Sequence, residues 1–202
     1  MGNPMQHIRP AIVMLVLFTA LTGLAYPLAL TGIASVLFPW QAGGSLIQRD
    51  GKIVGSALVG QNFTSPTYFQ SRPSATSAPD PNDSSKTVDA PYNAANSGGS
   101  NLGPTSKALI DRVKAAADAK REAGWTGPLP ADALTTSASG LDPDISPENA
   151  LLQAPSVAKA RSIDVAKARD LVLAHVEKPW LGFFGEPRVN VLLLNLALDA
   201  QK

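Results

Sequence analysis

A single N-terminal transmembrane helix followed by one mixed α/β (α+β) domain is the fold class this sequence predicts, and three observations predict it. Charge is unevenly spread: within the first 48 of 202 residues only Arg9 carries one. Inside that head, Ala11 to Phe38 is a mostly apolar run without a charge, of the length a bilayer requires. Beyond it, helix-period and strand-period segments alternate between turns rich in Gly, Pro, Asn and Ser, the pattern of one folded body without internal repeats.

Residues 1–10 read as a short tail and 11–38 as the membrane helix. As a continuous helix the run reaches about 42 Å, more than the roughly 30 Å of hydrocarbon demands. A cleaved signal peptide and a buried soluble helix are the rival readings; a signal core is usually only about 7–15 residues long. Pro27 should kink the helix. Small residues recur at four-residue spacing, as in Thr19 and Gly23, and Phe38 and Trp40 suit an aromatic anchor at the membrane surface. Arg9 lies at one end of the run, Arg49 and Lys52 beyond the other. The tight basic flank before a long polar tail favours the N-terminus inside and the body outside.

The body, residues 39–202, opens with two strand-prone runs around Arg49-Asp50-Gly51, a tight-hairpin signature. A long polar stretch follows to Ser106, and about 77–91 within it reads as a flexible polar loop. Ser106 is a candidate cap for a helix that stops at Gly124. A short strand is expected at 133–137. Ser146-Pro147 starts a second helix, with serine as cap and proline in the first turn. Asp164 caps a third helix, running to about Glu177. The dense aliphatic run from Arg188 to Leu198 reads as a buried strand.

Whole classes of chemistry fall away. No cysteine is present, so disulfides, thiol catalysis and thiolate metal ligation are excluded. A formal net charge of +1, with scattered basic residues, gives no footprint for nucleic acid. Of the two histidines, only His175 lies in the body. A serine hydrolase would have to use it, whereas at a helix end an imidazole serves the helix dipole. Asp80 to Pro91 starts like a calcium loop but lacks its glycine and its terminal glutamate. Gly98 to Gly103 has the glycines of a phosphate loop, but Pro104 stands where lysine is required. Asp142, Asp144 and Glu148 cluster at the second helix start, where they offset the dipole or attract a cation.

Six blocks occur in order: Gly55-Ser-Ala-Leu-Val-Gly-Gln61, Tyr68-Phe-Gln-Ser-Arg-Pro-Ser-Ala75, Tyr92-Asn, Gly99-Ser-Asn-Leu-Gly-Pro-Thr105, Ser139-Gly-Leu-Asp-Pro-Asp-Ile-Ser-Pro147 and Gly185-Glu-Pro-Arg-Val-Asn-Val-Leu192. With the span, they resemble the C subunit of the Kdp-type potassium-transporting ATPase over nearly the whole chain. The resemblance implies a non-catalytic accessory subunit of a high-affinity, ATP-driven potassium uptake complex. Its implied partners are a potassium-translocating channel-like subunit, a P-type ATPase subunit that hydrolyses ATP, a small single-span subunit and membrane lipid. It further implies a catalytic chaperone that raises the ATP affinity of the ATPase subunit, so ATP enters mainly through that partner. A bacterial inner-membrane location with an extracytoplasmic body is implied as well.

Within the matching blocks, Arg72, Pro73, Ser100, Asn101, Gly103, Asp142, Pro143, Ser146 and Asn190 are the expected assembly or structural residues. Gln153 is the candidate nucleotide contact. The sequence departs from the family at Asp144, where histidine is usual, and at Ser156, where arginine is common; its 77–91 segment is longer than typical. A membrane-anchored extracytoplasmic binding module or serine hydrolase is the competing reading.

Overall fold

A computed structural model describes residues 5–201, so the first four residues of the expected tail lie outside the described residues. From Met5 the chain is helical: α1 (Met5–Ala20), a π-helical turn (Leu21–Ala25) and α2 (Tyr26–Leu37), with a short α3 (Pro39–Ala42) beyond. One long apolar helix therefore covers Gln6–Leu37, its side chains unburied by the rest of the protein. Proline has no N–H to donate to Gly23, and its ring crowds that carbonyl. The expected disruption at Pro27 takes the form of a π turn just before it, where Tyr26 N–H reaches back to Leu21 O.

In the body, β1 (Leu46–Arg49) and β2 (Lys52–Ser56) pair as the expected hairpin. Asp50 and Gly51 both adopt positive φ, 52° and 74°, as a type I′ turn requires. The loop expected at about 77–91 is instead a second hairpin, β3 (Ser77–Asp80) with β4 (Asp83–Asp89). Side-chain turn chemistry compensates for its weak strand propensity: Asp80 Oδ1 accepts Asn82 N at 2.8 Å and Asp83 Oδ1 accepts Ser85 N at 3.1 Å. The bulge falls at Pro79/Asp80.

Helix α4 (Lys107–Glu122) ends before Gly124, which takes φ of 87°. Ser106 occupies its N-cap position but makes no side-chain cap bond. The strand expected at 133–137 is absent; Ala131–Ala133 is a 3-10 turn. Helix α5 (Pro147–Arg161) starts as expected, with Ser146 Oγ accepting Asn149 N at 3.1 Å. Helix α6 (Val165–Ala174) is capped by Asp164 and ends before the expected residue, since 176–177 pair as a strand.

The sharpest difference lies at the C-terminus. Only Arg188–Asn190 is strand; Val191–Ala200 is helix α7. A continuous aliphatic run does not separate the two states, because every face of it is apolar. Asn190 decides the switch by capping α7, its side chain accepting Leu193 N at 3.1 Å. Buried Val191, Leu194, Asn195 and Leu198 then recur at helical spacing.

Numbered in order, β5 (Asp144–Ile145), β6 (Val176–Glu177) and β7 (Arg188–Asn190) form an antiparallel sheet in the order β5-β7-β6. The main core gathers between this sheet and α5, α6 and α7. Ala150, Ala154 and Ala158 form a fully buried stripe on α5 whose small side chains permit close helix packing.

Candidate functional site

Three of the six sequence blocks converge on one cleft. It has a volume of about 700 Å³ and is lined by Arg72, Asp132, Asp142, Asp144, Ser146, Glu148, Glu186 and Arg188, among others. The β5–β7 pairing brings the 142–146 segment beside the 186–188 segment. Gly60 lets the connection after β2 approach closely: Gly60 N donates to Leu141 O at 2.8 Å, and a Cβ there would lie 2.5 Å from Asp142 O.

Carboxylates dominate the cleft, and its cations are already partnered. Arg72 Nη1 lies 2.8 Å from Asp142 Oδ2, while Arg188 meets Asp144 at 3.1 Å and Glu177 at 2.9 Å. Burial raises the Asp144 carboxyl above its usual range, assisted by Asp142 and Glu177 and opposed by Arg188. Among the described residues, no three His, Asp or Glu side chains are grouped to hold a metal ion.

Helix α5 points its N-terminus at this cleft, a natural anion site. That position is filled from within. Asp132 Oδ2 accepts Ser146 N at 2.8 Å and Asn149 Nδ2 at 2.9 Å, and its Oδ1 accepts Ser146 Oγ at 2.9 Å. The carboxylate thus neutralises the positive end of the helix where a phosphate would otherwise sit. Sequence reasoning missed Asp132, because it lies 14 positions before Ser146 and no local pattern couples them.

Gln153, the nucleotide candidate, is buried and fully engaged. Its Nε2 donates to Gln70 O and to Asn149 Oδ1, both at 3.0 Å, and its Oε1 accepts Gln70 N at 2.7 Å. It borders a second cleft of about 530 Å³, with Pro73, Tyr92 and Lys120 also on the wall. Burial pushes the Tyr92 hydroxyl up to about 12 and lowers the Lys120 ammonium, which sits 4.7 Å over the Trp125 ring.

The remaining expected residues divide between struts and an exposed loop. Pro143 O accepts Val191 N at 3.0 Å, and Asn190 Nδ2 donates to Ala57 O at 3.0 Å. Ser100 Oγ accepts from Arg112 at 3.4 Å, whereas Asn101 and Gly103 are exposed. His175 Nδ1 lies 2.8 Å from Leu171 O at the end of α6, the helix-end role. Ser156 is exposed on α5.

Comparison with known proteins adds the family. A family model described as the K+-transporting ATPase c chain, KdpC, matches residues 8–200. A potassium-transporting ATPase KdpC subunit of Methylobacterium nodulans is 63% identical over 195 residues, covering 96% of this chain and 97% of its own length. The corresponding Bradyrhizobium diazoefficiens subunit is 64% identical over the same shares. One from Rhodopseudomonas palustris strain BisB18 is 63% identical over 98% of this chain and all of its own length.

Proposed function

Because the chain belongs to the KdpC family of K+-transporting ATPase c chains, we propose that it is a non-catalytic accessory subunit of an ATP-driven potassium uptake complex in a bacterial inner membrane. The near full-length match carries this reading. Hydrolysis of ATP belongs to a P-type partner and potassium passage to a channel-like partner, with a small single-span subunit completing the assembly. The N-terminus lies in the cytoplasm and the body outside. Arg72, Asp142 and Ser146 at the acidic cleft, with half-buried Ser100 and the exposed Asn101–Gly103 that follow it, serve assembly, and Pro143 and Asn190 hold the frame behind them.

The chain raises the ATP affinity of its partner by biasing the pump between conformations, without itself touching nucleotide. Support comes from electrostatics: the cleft's two arginines are ion-paired within the chain, and Asp132 occupies the α5 N-terminus. A polyphosphate entering there would meet carboxylates. A coupling of about 1–3 kcal/mol between states would change affinity roughly 5–150-fold.

Deleting the chain should abolish growth at limiting potassium while growth at abundant potassium stays normal. Complex purified without it should show a raised KM for ATP. Growth unaffected by the deletion would overturn the assignment. Protease added to intact spheroplasts should digest the body; digestion only after permeabilisation would place it in the cytoplasm and favour direct nucleotide contact.

A further inference from the structure

The β6–β7 connection ends in an aromatic finger that the body leaves uncovered. Trp180, Leu181, Phe183 and Phe184 are 55–70% exposed, four large apolar side chains within five residues. The other exposed apolar residues of the body are scattered along the chain, which is ordinary for a protein surface.

The finger is built, not frayed. Trp180 and Phe184 form an antiparallel bridge, with Trp180 N donating to Phe184 O and Phe184 N to Trp180 O, both at 3.0 Å. Leu181 and Gly182 turn the chain with φ of 52° and 82°, a tight primed turn that places a leucine in the left-handed region. Phe184 contacts both aromatic neighbours, with ring centroids 5.7 Å from Trp180 and 4.3 Å from Phe183. At the base, the Glu177–Arg188 ion pair closes β6 against β7. Ordering four apolar side chains in water without a covering surface is unfavourable unless they meet one.

We infer that this finger inserts into the interfacial layer of the bilayer that holds the chain's own span, so that the body rests on the membrane through Trp180, Leu181, Phe183 and Phe184. Three observations favour lipid over a protein partner. Only residues 38–45, which include the short helix α3, lie between the end of the long apolar helix at Leu37 and the first strand residue, Leu46, so the chain tethers the body close to the bilayer. Tryptophan and other aromatic side chains favour the layer between headgroups and acyl chains. The exposed apolar side chains sit on a single turn between Trp180 and Phe184, whereas a stable protein interface buries about 800 Å² per partner across a broad patch. Between Glu177 and Arg188 the acids and bases balance, with Glu177 and Glu186 against Lys178 and Arg188. Insertion is therefore apolar in origin and needs no anionic lipid. The inference rests on the exposed finger and the span, and does not depend on the potassium-uptake reading.

The test uses the full chain carrying Trp40→Phe, reconstituted into phosphatidylcholine vesicles with brominated acyl chains. Bromine should quench part of the tryptophan emission, and adding Trp180→Phe should remove the quenched part. Trp125, nearly buried in the body, supplies an unquenched emission that reports an intact fold in every variant. Phe183→Asp with Trp180 retained should also lose the quenching, because a carboxylate resists entry into the acyl region. Equal Trp180 emission in brominated and ordinary vesicles would overturn the proposal, as would quenching that survives Phe183→Asp. In whole membranes, a photo-crosslinking phenylalanine analogue at position 183 should yield lipid adducts; a protein adduct of fixed mass would replace the bilayer with a protein partner.

Discussion

Gln153 holds Gln70 by both of its main-chain polar groups, accepting Gln70 N at 2.7 Å and donating to Gln70 O at 3.0 Å. One residue earlier the same device recurs from the opposite helix. Asn195 on α7 accepts Phe69 N and donates to Phe69 O, both at 2.9 Å. Two side-chain amides thus replace the neighbouring strand that this extended segment lacks, and they fasten it to α5 and α7.

Gln153→Ala should therefore destabilise the body by about 2–3 kcal/mol, since it strands buried main-chain donors and acceptors. Gln153→Glu keeps an acceptor for Gln70 N but turns a carboxylate toward Gln70 O and Asn149 Oδ1, so it should not rescue. Denaturant unfolding of the full chain in detergent measures both. Adding ATP should leave the wild-type melting temperature unchanged; a rise that Gln153→Ala removes would restore this residue as a nucleotide contact.

Asp132→Ala should cost roughly 1.5–3 kcal/mol through the lost charge-assisted bonds to Ser146 and Asn149. It also uncovers the N-terminus of α5. Inorganic phosphate should then raise the melting temperature of the variant more than that of the wild type. Equal responses would show that Asp132 is not standing in for an anion.

Two carboxylates should respond to acid with opposite sign. Burial opposes the charge of Asp199, but Arg161 and Arg49 outweigh it and hold the carboxyl below its usual range. A depressed Asp contributes stability above its unfolded value near 3.8 and loses it as pH falls through the folded value. Asp144 is raised, so its folded form takes up a proton more readily and stability from this group grows as pH falls. Asp199→Asn should lower the melting temperature at pH 7 and converge with wild type in acid. Asp144→Asn should be neutral or stabilising at pH 7. Thermal melts from pH 3 to 7 check both signs.

Local chemistry made much of the fold legible. The span, the Asp50-Gly51 turn and the caps Ser146 and Asp164 each follow from a few adjacent residues, and the structure has all of them. The aliphatic run at 188–198 misled because its alternatives differ only in how Asn190 and Asn195 are used, and both bind segments more than a hundred positions away. The ordered blocks marked the residues that meet at the acidic cleft. They could not reveal that Asp132 closes the α5 N-terminus or that Gln153 is consumed internally. Those facts depend on pairings between distant segments, to which a one-dimensional pattern is blind. The aromatic finger at Trp180 to Phe184 went unmarked, because in sequence nothing but exposure separates such a cluster from core.

In the Ser100–Gly103 loop, backbone and side chain make separable contributions. Gly98 N donates to Ser139 O at 2.8 Å, and a Cβ on Gly99 would sit 2.9 Å from Ala138 O and 3.1 Å from its Cα. Those are main-chain atoms that cannot rotate aside, so Gly99→Ala should lift the loop off the 138–139 segment. Asn101 is exposed at φ of 51°, a left-handed position that asparagine and glycine tolerate. Asn101→Gly should then preserve growth at limiting potassium, whereas Asn101→Ala should cost about 1 kcal/mol in loop stability through backbone strain alone. Gly99→Ala should weaken co-purification with the partner subunits while the melting temperature of the helical core changes little. If Asn101→Gly loses co-purification as severely as Gly99→Ala, the Asn101 amide itself must touch a partner, because glycine satisfies every backbone demand of that position.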